Sequence, residues 1–431
     1  MSLSNEVEKV VLCPDGHQNP HYANYCVVCG KRIEIISQIT KESRQIGPIE
    51  PEYCIIGLGS TGIKVLSHLW KLVQHRSEHL SLLGMDSEMI SEEIYGTLPS
   101  KVMYRIGKRS RGTGHLWKVG ERLASEEPSI KDLLIQAKAD KADAVFFICS
   151  LGGGMGSGAA PYILSMLPEW GFRGGRFILA IMPYDNESDQ LHFNAYCGLS
   201  RLIKYKMGFN SDLIILVNNT NLDHYKTVDR YGKEIVGNDV LAAMIDMIVS
   251  AGDAGVYRRI NVDDLVTYER SMKVFHFSPC IALGHSMRIY SRLTNVLESA
   301  FARPLMPLDP DSAIFTYLFL RISESLKERM SYEDLLNEFE GWRQRNLPSS
   351  IVSYFGLSYV KDHMDKMDVL LLVGGYLLEP FIKRSYEGYQ RVKGASTLSP
   401  DELKTIEDVF KEYTYNLNSI YQRAKRGPNQ D

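Results

Sequence analysis

Apolar strand patterns alternate with amphipathic helix patterns along most of the chain. Short runs such as "YCIIGL" and "AVFFIC" have the length and composition of strands that are covered on both faces. Segments such as "AAPYILSML" follow them with the apolar spacing of a helix. Because strands and helices alternate from Pro51 onward, the pattern predicts an α/β fold with a mostly parallel sheet.

The pattern after Glu269 predicts a second, smaller α/β domain. Four apolar segments there have the character of strands: "SMKVFHFSPCIAL", "SAIFTYLFLRIS", "SSIVSYFGLSYV" and "MDVLLLVGGYLL". The segment "SYEDLLNEFEGWRQR" between the second and the third is predicted to be a helix. A last helix starts with Ser399 as its cap and Pro400 at its first position. Its apolar stripe predicts packing on the body of the protein: Leu403, Ile406, Phe410, Leu417 and Ile420.

Length, charge and cysteine content exclude several classes of protein. The 431 residues are enough for two or three domains. With 49 Lys and Arg against 52 Asp and Glu, the net charge of −3 gives no electrostatic basis for binding nucleic acid. The longest apolar run, Val369 to Leu378, is too short to span a membrane, and the N-terminus lacks a signal-peptide pattern. Since seven cysteines fit a reducing compartment better than a disulfide framework, we expect a cytoplasmic protein.

A short cysteine-rich segment near the N-terminus has the spacing of a zinc site. The pattern Cys-x3-His-x8-Cys-x2-Cys offers Zn²⁺ a tetrahedral set of thiolates and one imidazole: Cys13, His17, Cys26 and Cys29. The segment resembles the short zinc ribbons that precede many prokaryotic multidomain chains. His21 is a competing ligand, and free thiols are the alternative interpretation. We predict a zinc ribbon over residues 9–33, in which the metal supplies the folding energy, followed by a linker over residues 34–48.

Five glycines lie within the stretch "GGGMGSG", residues 152–158, between a predicted strand and a predicted helix. Bare backbone at the start of a helix lets an anion approach main-chain N–H groups, and this context favours a phosphate site over a flexible turn. Similar loops occur at residues 57–62 and 112–114. Asp86 and Glu88 end a strand between them and could reach a phosphate-bound Mg²⁺ directly or through water. Three such loops around one pocket suggest a triphosphate.

Several of these motifs resemble the tubulin/FtsZ superfamily. "GGGMGSGAAP" is similar to its signature glycine loop, with Met155 in place of the usual threonine. "MPYDNES" resembles the loop that carries a ribose-contacting glutamate, here Glu187, although Leu191 replaces the arginine that follows in FtsZ. "DLIILVNNTNL" and "GNDVLAAMIDMIVSAGD" are similar to segments with guanine-reading asparagines, matched by Asn218 and Asn238. Within the superfamily, the chain is similar to non-conventional archaeal proteins of the FtsZ and CetZ type.

The resemblance implies that the chain binds GTP or GDP together with Mg²⁺. The implied nucleotide-binding residues are Gly57, Gly59, Ser60, Thr61, Gly62, Asp86, Glu88, Gly112, Thr113, Gly114, Gly152, Gly153, Gly154, Met155, Gly156, Ser157, Gly158, Glu187, Asn218 and Asn238. A single G-x-G-x-x-G loop is shared with dinucleotide enzymes, so an enzyme acting on a dinucleotide is an alternative. The second glycine loop has no place in that alternative.

The segment "RRINVDDLVTYER" resembles the loop that ends the central helix of the superfamily. In the family this loop reaches the nucleotide of the next subunit and helps to position the attacking water. Asn261 and Asp263 match its motif, whereas Val266 occupies the last acidic position, with Asp264 and Glu269 nearby. The implied catalytic residues are Asn261, Asp263 and Asp264. Because one carboxylate is missing, we expect a slow GTPase that depends on assembly.

Taken together, the resemblance implies a GTP-binding cytoskeletal protein that assembles with itself head to tail into protofilaments. The alternative within the superfamily is an adaptor that binds GTP without hydrolysis or polymerisation and docks an unknown protein through the zinc ribbon. The predicted domains after the linker are a GTP-binding domain with the central helix, a C-terminal α/β domain, and a final helix and tail: residues 49–267, 268–395 and 396–431.

Overall fold

The computed structural model describes residues 10–12, 15, 17–20, 26, 28–29, 50–74, 79–88, 98–107, 112–205, 208–253, 255–290 and 292–426. Cys13, His21, the predicted linker 34–48 and the end of the predicted tail lie outside the described residues. The chain divides into two compact units, one of residues 1–49 with 423–431 and one of residues 50–422. In the first unit, strand β1 (Val10–Leu12) pairs with strand β2 (Gln18–Pro20) in antiparallel fashion.

The second unit is built on strands and helices that alternate as the sequence pattern predicts. Its strands are β3 (Tyr53–Leu58), β4 (Leu80–Asp86), β5 (Met103–Arg105), β6 (Ala144–Ser150), β7 (Gly175–Met182), β8 (Lys204–Tyr205), β9 (Gly208–Phe209), β10 (Leu213–Asn218), β11 (Lys226–Val228), β12 (Glu234–Val236), β13 (His276–Ser286), β14 (Phe315–Ser323), β15 (Val352–Val360) and β16 (Lys366–Gly374). Its helices are α1 (Gly59–Val73), α2 (Trp117–Ser125), α3 (Ile130–Gln136), α4 (Ala160–Met166), α5 (Asp189–Ile203), α6 (Asn219–His224), α7 (Asn238–Val249), α8 (Thr267–Met272), α9 (Leu293–Phe301), α10 (Tyr332–Asn346), α11 (Lys383–Val392) and α12 (Pro400–Arg426).

One sheet of ten strands runs through the described part of this unit, in the order β15-β14-β16-β13-β10-β7-β6-β3-β4-β5. Every pairing from β5 to β13 is parallel, and β16 then pairs antiparallel with both β13 and β14. All six residues of β3 are buried, as parallel strands between two layers of helices require. The predicted α/β class with a mostly parallel sheet is therefore confirmed, and the two predicted α/β regions share one sheet.

The four segments predicted as strands after Glu269 extend beyond the strands themselves, most clearly in the first and the last. The segment that begins at Ser271 was predicted as strand, but α8 continues to Met272 and β13 begins only at His276. Lys273, whose φ of 58° lies in the left-handed region, ends that helix. On the neighbouring strand, β16 stops at Gly374, and Gly375 turns the chain away with a φ of 72°.

Helix α12 has the start and the buried face that its sequence predicts. The Ser399 hydroxyl accepts the Glu402 N–H at 3.3 Å, and the Glu402 carboxylate accepts the Ser399 N–H at 2.8 Å. The apolar stripe is buried at Ile406, Phe410, Leu417 and Ile420 and half-buried at Leu403. The prediction that this helix packs on the protein is confirmed. Within the described residues, no helix combines the length and the apolar character that a bilayer crossing needs.

Candidate functional site

A cavity of about 300 Å³ opens where β3, β4 and β6 end. Ligands of open parallel sheets bind at this carboxyl edge, because the loops that leave neighbouring strands meet there. The cavity is lined by the loops after these strands, by the loop before α2, and by the start of α5 and of α6: Leu58, Gly59, Ser60, Thr61, Asp86, Ser87, Glu88, Thr113, Gly114, His115, Ser150, Gly152, Gly153, Gly154, Met155, Gly156, Glu187, Leu191 and Asn219. Most of the predicted nucleotide-binding residues are therefore brought together.

Bare backbone and helix starts surround the cavity. Helix α1 begins at Gly59, with no acidic residue in its first turn and no capping side chain on Leu58, so its first N–H groups remain available to an anion. Gly153 has open space where a Cβ would stand, whereas a Cβ on Gly154 would lie 2.4 Å from the Thr113 hydroxyl oxygen. Except at Met155, the chain after β6 therefore reaches the cavity as glycine backbone, which suits phosphate oxygens.

Several predicted glycines serve packing rather than the cavity surface. A Cβ on Gly62 would lie 2.2 Å from the Ile148 carbonyl oxygen, and one on Gly57 would lie 2.7 Å from that of Gly62. A Cβ on Gly158 would lie 1.9 Å from the Trp117 carbonyl oxygen. These glycines let α1 and the turn before α4 approach their neighbours closely. Ser157 is buried, and its hydroxyl donates to the Leu151 carbonyl. Gly112, whose φ is 96°, is among the predicted residues that do not line the cavity.

Two carboxylates stand at the end of β4 beside the cavity. Asp86 is buried, and its Oδ1 accepts the Ser87 N–H at 2.7 Å. Burial raises the pKa of Asp86, and the charge of Glu88 acts in the same direction. Glu88 is exposed, and a Cβ on Gly112 would lie 2.1 Å from its Oε1. Beside a bound phosphate, oxygen donors of this kind would suit Mg²⁺.

The three residues predicted to contact ribose and base lie in different surroundings. Glu187 lines the cavity, and its Oε2 accepts the Tyr184 N–H at 2.8 Å. Asn218 caps α6, because its Oδ1 accepts the N–H groups of Thr220 and Asn221 at 2.8 and 3.3 Å. Asn238 is the first residue of α7 and is half-buried. Asn219 lines the cavity, while Asn218 and Asn238 are not among the lining residues that the structure describes.

Asn194 is a buried side chain of the site that sequence reasoning missed. Its Nδ2 donates to the His115 carbonyl at 2.6 Å and to the Gly152 carbonyl at 2.9 Å, which ties two cavity loops together. His115 has a φ of 56°, a left-handed conformation that a non-glycine residue seldom adopts without support. The available signal was an asparagine on the apolar face of "HFNAYCGL", two helical turns after Glu187.

The loop with the predicted catalytic residues lies at the opposite edge of the sheet. Val262 packs against Gly175, the first residue of β7, where a Cβ would lie 3.1 Å from Val262 Cγ1. The cavity lies instead beyond the last residues of β3, β4 and β6. An eight-residue strand such as β7 is about 25 Å long. Asp263 therefore lies a strand length away from the cavity of its own chain.

The side chains of this loop divide into exposed and buried ones. Asn261 and Asp263 are exposed, whereas Asp264 is half-buried, and its Oδ2 accepts the Asn261 N–H at 2.9 Å. Burial raises the pKa of Asp264. Val266 is only 4% exposed, and Glu269 is fully buried and accepts the Tyr317 hydroxyl. Glu269 therefore cannot replace the missing surface acid, and an acid at position 266 would itself be buried.

Three of the four predicted zinc ligands form a cluster in the first unit. The donor atoms of His17, Cys26 and Cys29 all lie within 4.8 Å of one another. Burial raises the pKa of the Cys26 thiol, but hydrogen bonds from the backbone of Cys29 and Val28 outweigh it and bring the pKa to about 6. The Val28 N–H reaches Cys26 Sγ at 3.4 Å. The set fits part of a tetrahedral zinc site, whose fourth predicted ligand, Cys13, lies outside the described residues.

Comparison with known sequences relates the cavity to one family. Residues 52–226 match the family model "Tubulin/FtsZ family, GTPase domain". Cell division protein FtsZ 1 of Pyrococcus furiosus is 29% identical over 193 residues, which are 43% of this chain and 46% of that protein. The FtsZ 1 protein of Archaeoglobus fulgidus is 30% identical over 39% of this chain and 42% of its own length. The chain thus spans about half the length of these curated relatives.

Comparison with solved structures identifies the fold. CetZ2 from Haloferax volcanii, solved as a GTPγS-bound protofilament, superposes with a TM-score of 0.65 at 18% identity, over 79% of this chain and 99% of that one. CetZ from Methanosaeta thermophila gives 0.62 at 16% identity, over 86% and 99%. An FtsZ dimer from M. jannaschii gives 0.56 at 19% identity, over 76% and 88%. The architecture is that of the tubulin/FtsZ fold.

Proposed function

We propose that this chain is a tubulin/FtsZ superfamily protein of the cytoplasm that binds GTP and assembles head to tail into protofilaments. The observation that carries the proposal is the placement of two half-sites at opposite edges of one sheet. The glycine-lined cavity lies at the carboxyl edge, and the loop with Asn261 and Asp263 lies at the amino edge. Stacking two copies in the same direction would bring the loop of one onto the cavity of the next.

The cavity offers groups that could bind each part of a nucleoside triphosphate. The start of α1 and the glycine loop after β6 offer main-chain N–H groups to the phosphates. Asp86 and Glu88 would hold Mg²⁺, whose charge offsets that of the phosphates. Glu187 would accept hydrogen bonds from the ribose, and Asn218 and Asn238 would read guanine from the start of α6 and α7. A protein of similar fold also supports this proposal, since CetZ2 from Haloferax volcanii was solved with bound GTPγS.

Hydrolysis would require the neighbouring subunit. The exposed Asp263 carboxylate would position the attacking water in the cavity of the next chain, with Asn261 beside it. Asp264 would shape the loop, because its carboxylate is bonded to the Asn261 N–H. Turnover would be slow, since the buried Val266 adds no second carboxylate.

A competition titration and a protein-concentration series test this proposal. In the titration, we expect GTP, and neither ATP nor NAD, to displace a labelled GTP analogue. In the series, we expect phosphate release per chain to rise with protein concentration. Asp263→Ala should abolish release and retain GTP binding. Asp408→Ala, which removes another exposed carboxylate from α12, is the matched control and should behave as wild type. Release that is strictly proportional to protein and undiminished in Asp263→Ala would contradict the shared site.

The buried Val266 also favours a second candidate, an adaptor that binds GTP without hydrolysing it or polymerising. In that case the zinc ribbon would dock an unknown protein partner. Light scattering after addition of GTP separates the two candidates, because only the first predicts a rise that decays as phosphate is released. In either case we propose that Zn²⁺ has a structural role.

A further inference from the structure

Helix α11, which belongs to the C-terminal α/β region, packs against α5, whose first turn lines the nucleotide cavity. It packs against α5 so closely that a Cβ on Gly388 would lie 2.5 Å from the Cβ of His192. His192 is buried, and its ring joins the two helices to the preceding loop: Nδ1 accepts the Ser385 hydroxyl at 3.3 Å, and Nε2 donates to the Tyr184 carbonyl at 3.1 Å. A side chain at the start of α11 can therefore act directly on the loop that precedes α5.

Arg384 uses all three nitrogens of its guanidinium group on that loop. Nε donates to the Asp185 carbonyl at 3.1 Å, and Nη2 donates to the Glu187 carbonyl at 3.0 Å. Nη1 donates to the Asp189 carboxylate at 2.8 Å, and this bond lowers the pKa of Asp189. The planar fork of arginine thus spans the loop from one side of Glu187 to the other.

The carboxylate of Glu187 has few other restraints. Its Oε2 accepts the Tyr184 N–H, which belongs to the same loop, so that bond moves with the loop. The contacts of Arg384 come from outside the loop and connect it to α11. Thr220 and Asn218 also bond the loop from outside, at Asp185, whereas the described bond from outside the loop to the Glu187 carbonyl comes from Arg384. The direction in which Glu187 faces the cavity therefore depends in part on a side chain of the C-terminal region.

We propose that Arg384 is a positioning residue for ribose recognition, which holds the loop of residues 184–189 so that the Glu187 carboxylate meets the ribose hydroxyls. The inference rests on the proposed GTP site. It implies that α11, and with it the C-terminal α/β region, sets the affinity of the nucleotide cavity although Arg384 itself does not touch the nucleotide.

Analogues of GTP that lack one ribose hydroxyl test the role of Arg384. Dissociation constants are measured for GTP, 2′-deoxy-GTP and 3′-deoxy-GTP on the full chain, as wild type and as Arg384→Ala. Wild type should prefer GTP over at least one of the deoxy analogues. One misplaced hydrogen bond costs about five- to tenfold in affinity. Arg384→Ala should therefore lose about that much affinity for GTP and little affinity for that analogue. The ratio of the two dissociation constants should then fall towards one.

Arg391→Ala is the matched control. Arg391 lies on the same helix and bonds the same Asp189 carboxylate at 3.2 and 3.3 Å, but it is not bonded to the Asp185 or Glu187 carbonyls. It should keep the wild-type preference. Glu187→Gln should itself reduce the preference, and Arg384→Ala should have no further effect on it in that background. Arg384→Lys keeps the charge without the fork and should behave like Arg384→Ala, which provides a readout if the alanine variant does not fold.

The outcomes of these measurements distinguish failure of the proposed function from failure of the role of Arg384. If wild type does not bind GTP, the proposed function is wrong. If wild type binds GTP but Arg384→Ala and Arg384→Lys keep the ribose preference, the positioning role is wrong. An equal loss for GTP and the deoxy analogues would also overturn it, because such a loss reflects general damage to the cavity rather than a misplaced Glu187.

Discussion

At the scale of single residues, one buried amide joins two of the loops that form the cavity. Asn194 donates to the carbonyls of His115 and Gly152, and its own Oδ1 accepts from Gln190 Nε2 at 3.2 Å. Both carbonyls belong to segments that line the cavity. Gly152 is buried, and a buried carbonyl without a donor is costly, so loss of the amide would be relieved by movement of the loops.

We expect Asn194→Ala to weaken GTP binding by about tenfold, since two hydrogen bonds that hold two of the cavity loops are lost. Asn210→Ala is the matched control. Asn210 is also buried and donates to two carbonyls, those of Pro161 and Arg201, at 2.8 and 3.0 Å, and it does not line the cavity. Calorimetric titration with GTP measures both. Equal affinities of the two variants for GTP would contradict the role of Asn194.

At the scale of elements, helix α8 connects the loop that contains Asp263 to the sheet through a buried ion pair. The carboxylate of Asp212, at the start of β10, accepts Arg270 Nε and Nη2 at 2.9 and 2.8 Å, and Arg176 from β7 bonds the same group. Glu269, the residue before Arg270, accepts the Tyr317 hydroxyl, and its Oε2 has no partner among the described residues. Burial raises the pKa of Glu269 to about 8, and the charges of Asp212 and Asp264 act in the same direction.

This pKa predicts a pH-dependent stability. Between the ordinary value of 4.5 and about 8, folded Glu269 keeps a proton that the unfolded chain has released. Its contribution to the free energy of unfolding is therefore full below pH 4.5 and declines as the pH rises to 8, by at most about 1.4 kcal/mol per unit. Glu269→Gln still accepts the Tyr317 hydroxyl but does not titrate, so its stability relative to wild type should grow over this range. Urea unfolding at several pH values measures the difference, and a constant difference would show that Glu269 ionises normally.

At the scale of the whole molecule, the chain forms two compact units that depend on different sources of stability. The larger unit, residues 50–422, has an extensive buried core along the ten described strands of its large sheet. The described residues of the N-terminal segment include one short strand pair and the cluster of His17, Cys26 and Cys29. So small a segment cannot bury a core, so metal would have to stabilise it.

Chelation should therefore unfold the N-terminal segment and leave the larger unit folded. We expect one zinc ion per chain by elemental analysis of protein purified without chelator. After treatment with a strong chelator, hydrogen exchange should accelerate in residues 9–33 alone, with GTP affinity unchanged. Cys26→Ser should lose the metal, whereas Cys280→Ser, at a buried cysteine of β13, should retain it. Protein without zinc, or global unfolding on chelation, would contradict this prediction.

The sequence by itself determined the local features of this protein. The strand "AVFFIC" became β6, the glycine run after it reached the cavity, and the α12 cap formed at Ser399, because periodicity, glycine backbone and caps act between near neighbours. The sequence pattern places the start of the strand after α8 too early, because the left-handed Lys273 has no sequence signal of its own.

Only the tertiary structure decided which distant residues act together. Asn194 and Arg384 bond cavity loops from helices far away in the sequence, and Gly57 and Gly62 contribute to packing rather than to the cavity surface. The burial of Val266 and Glu269, close to an exposed Asp263, follows from how α8 docks on the sheet. Spacing along the chain does not specify such contacts, because they depend on the crossing of elements in three dimensions. The placement of the cavity and of the loop with Asp263 at opposite edges of the sheet is the same kind of outcome, since strand order and direction decide it.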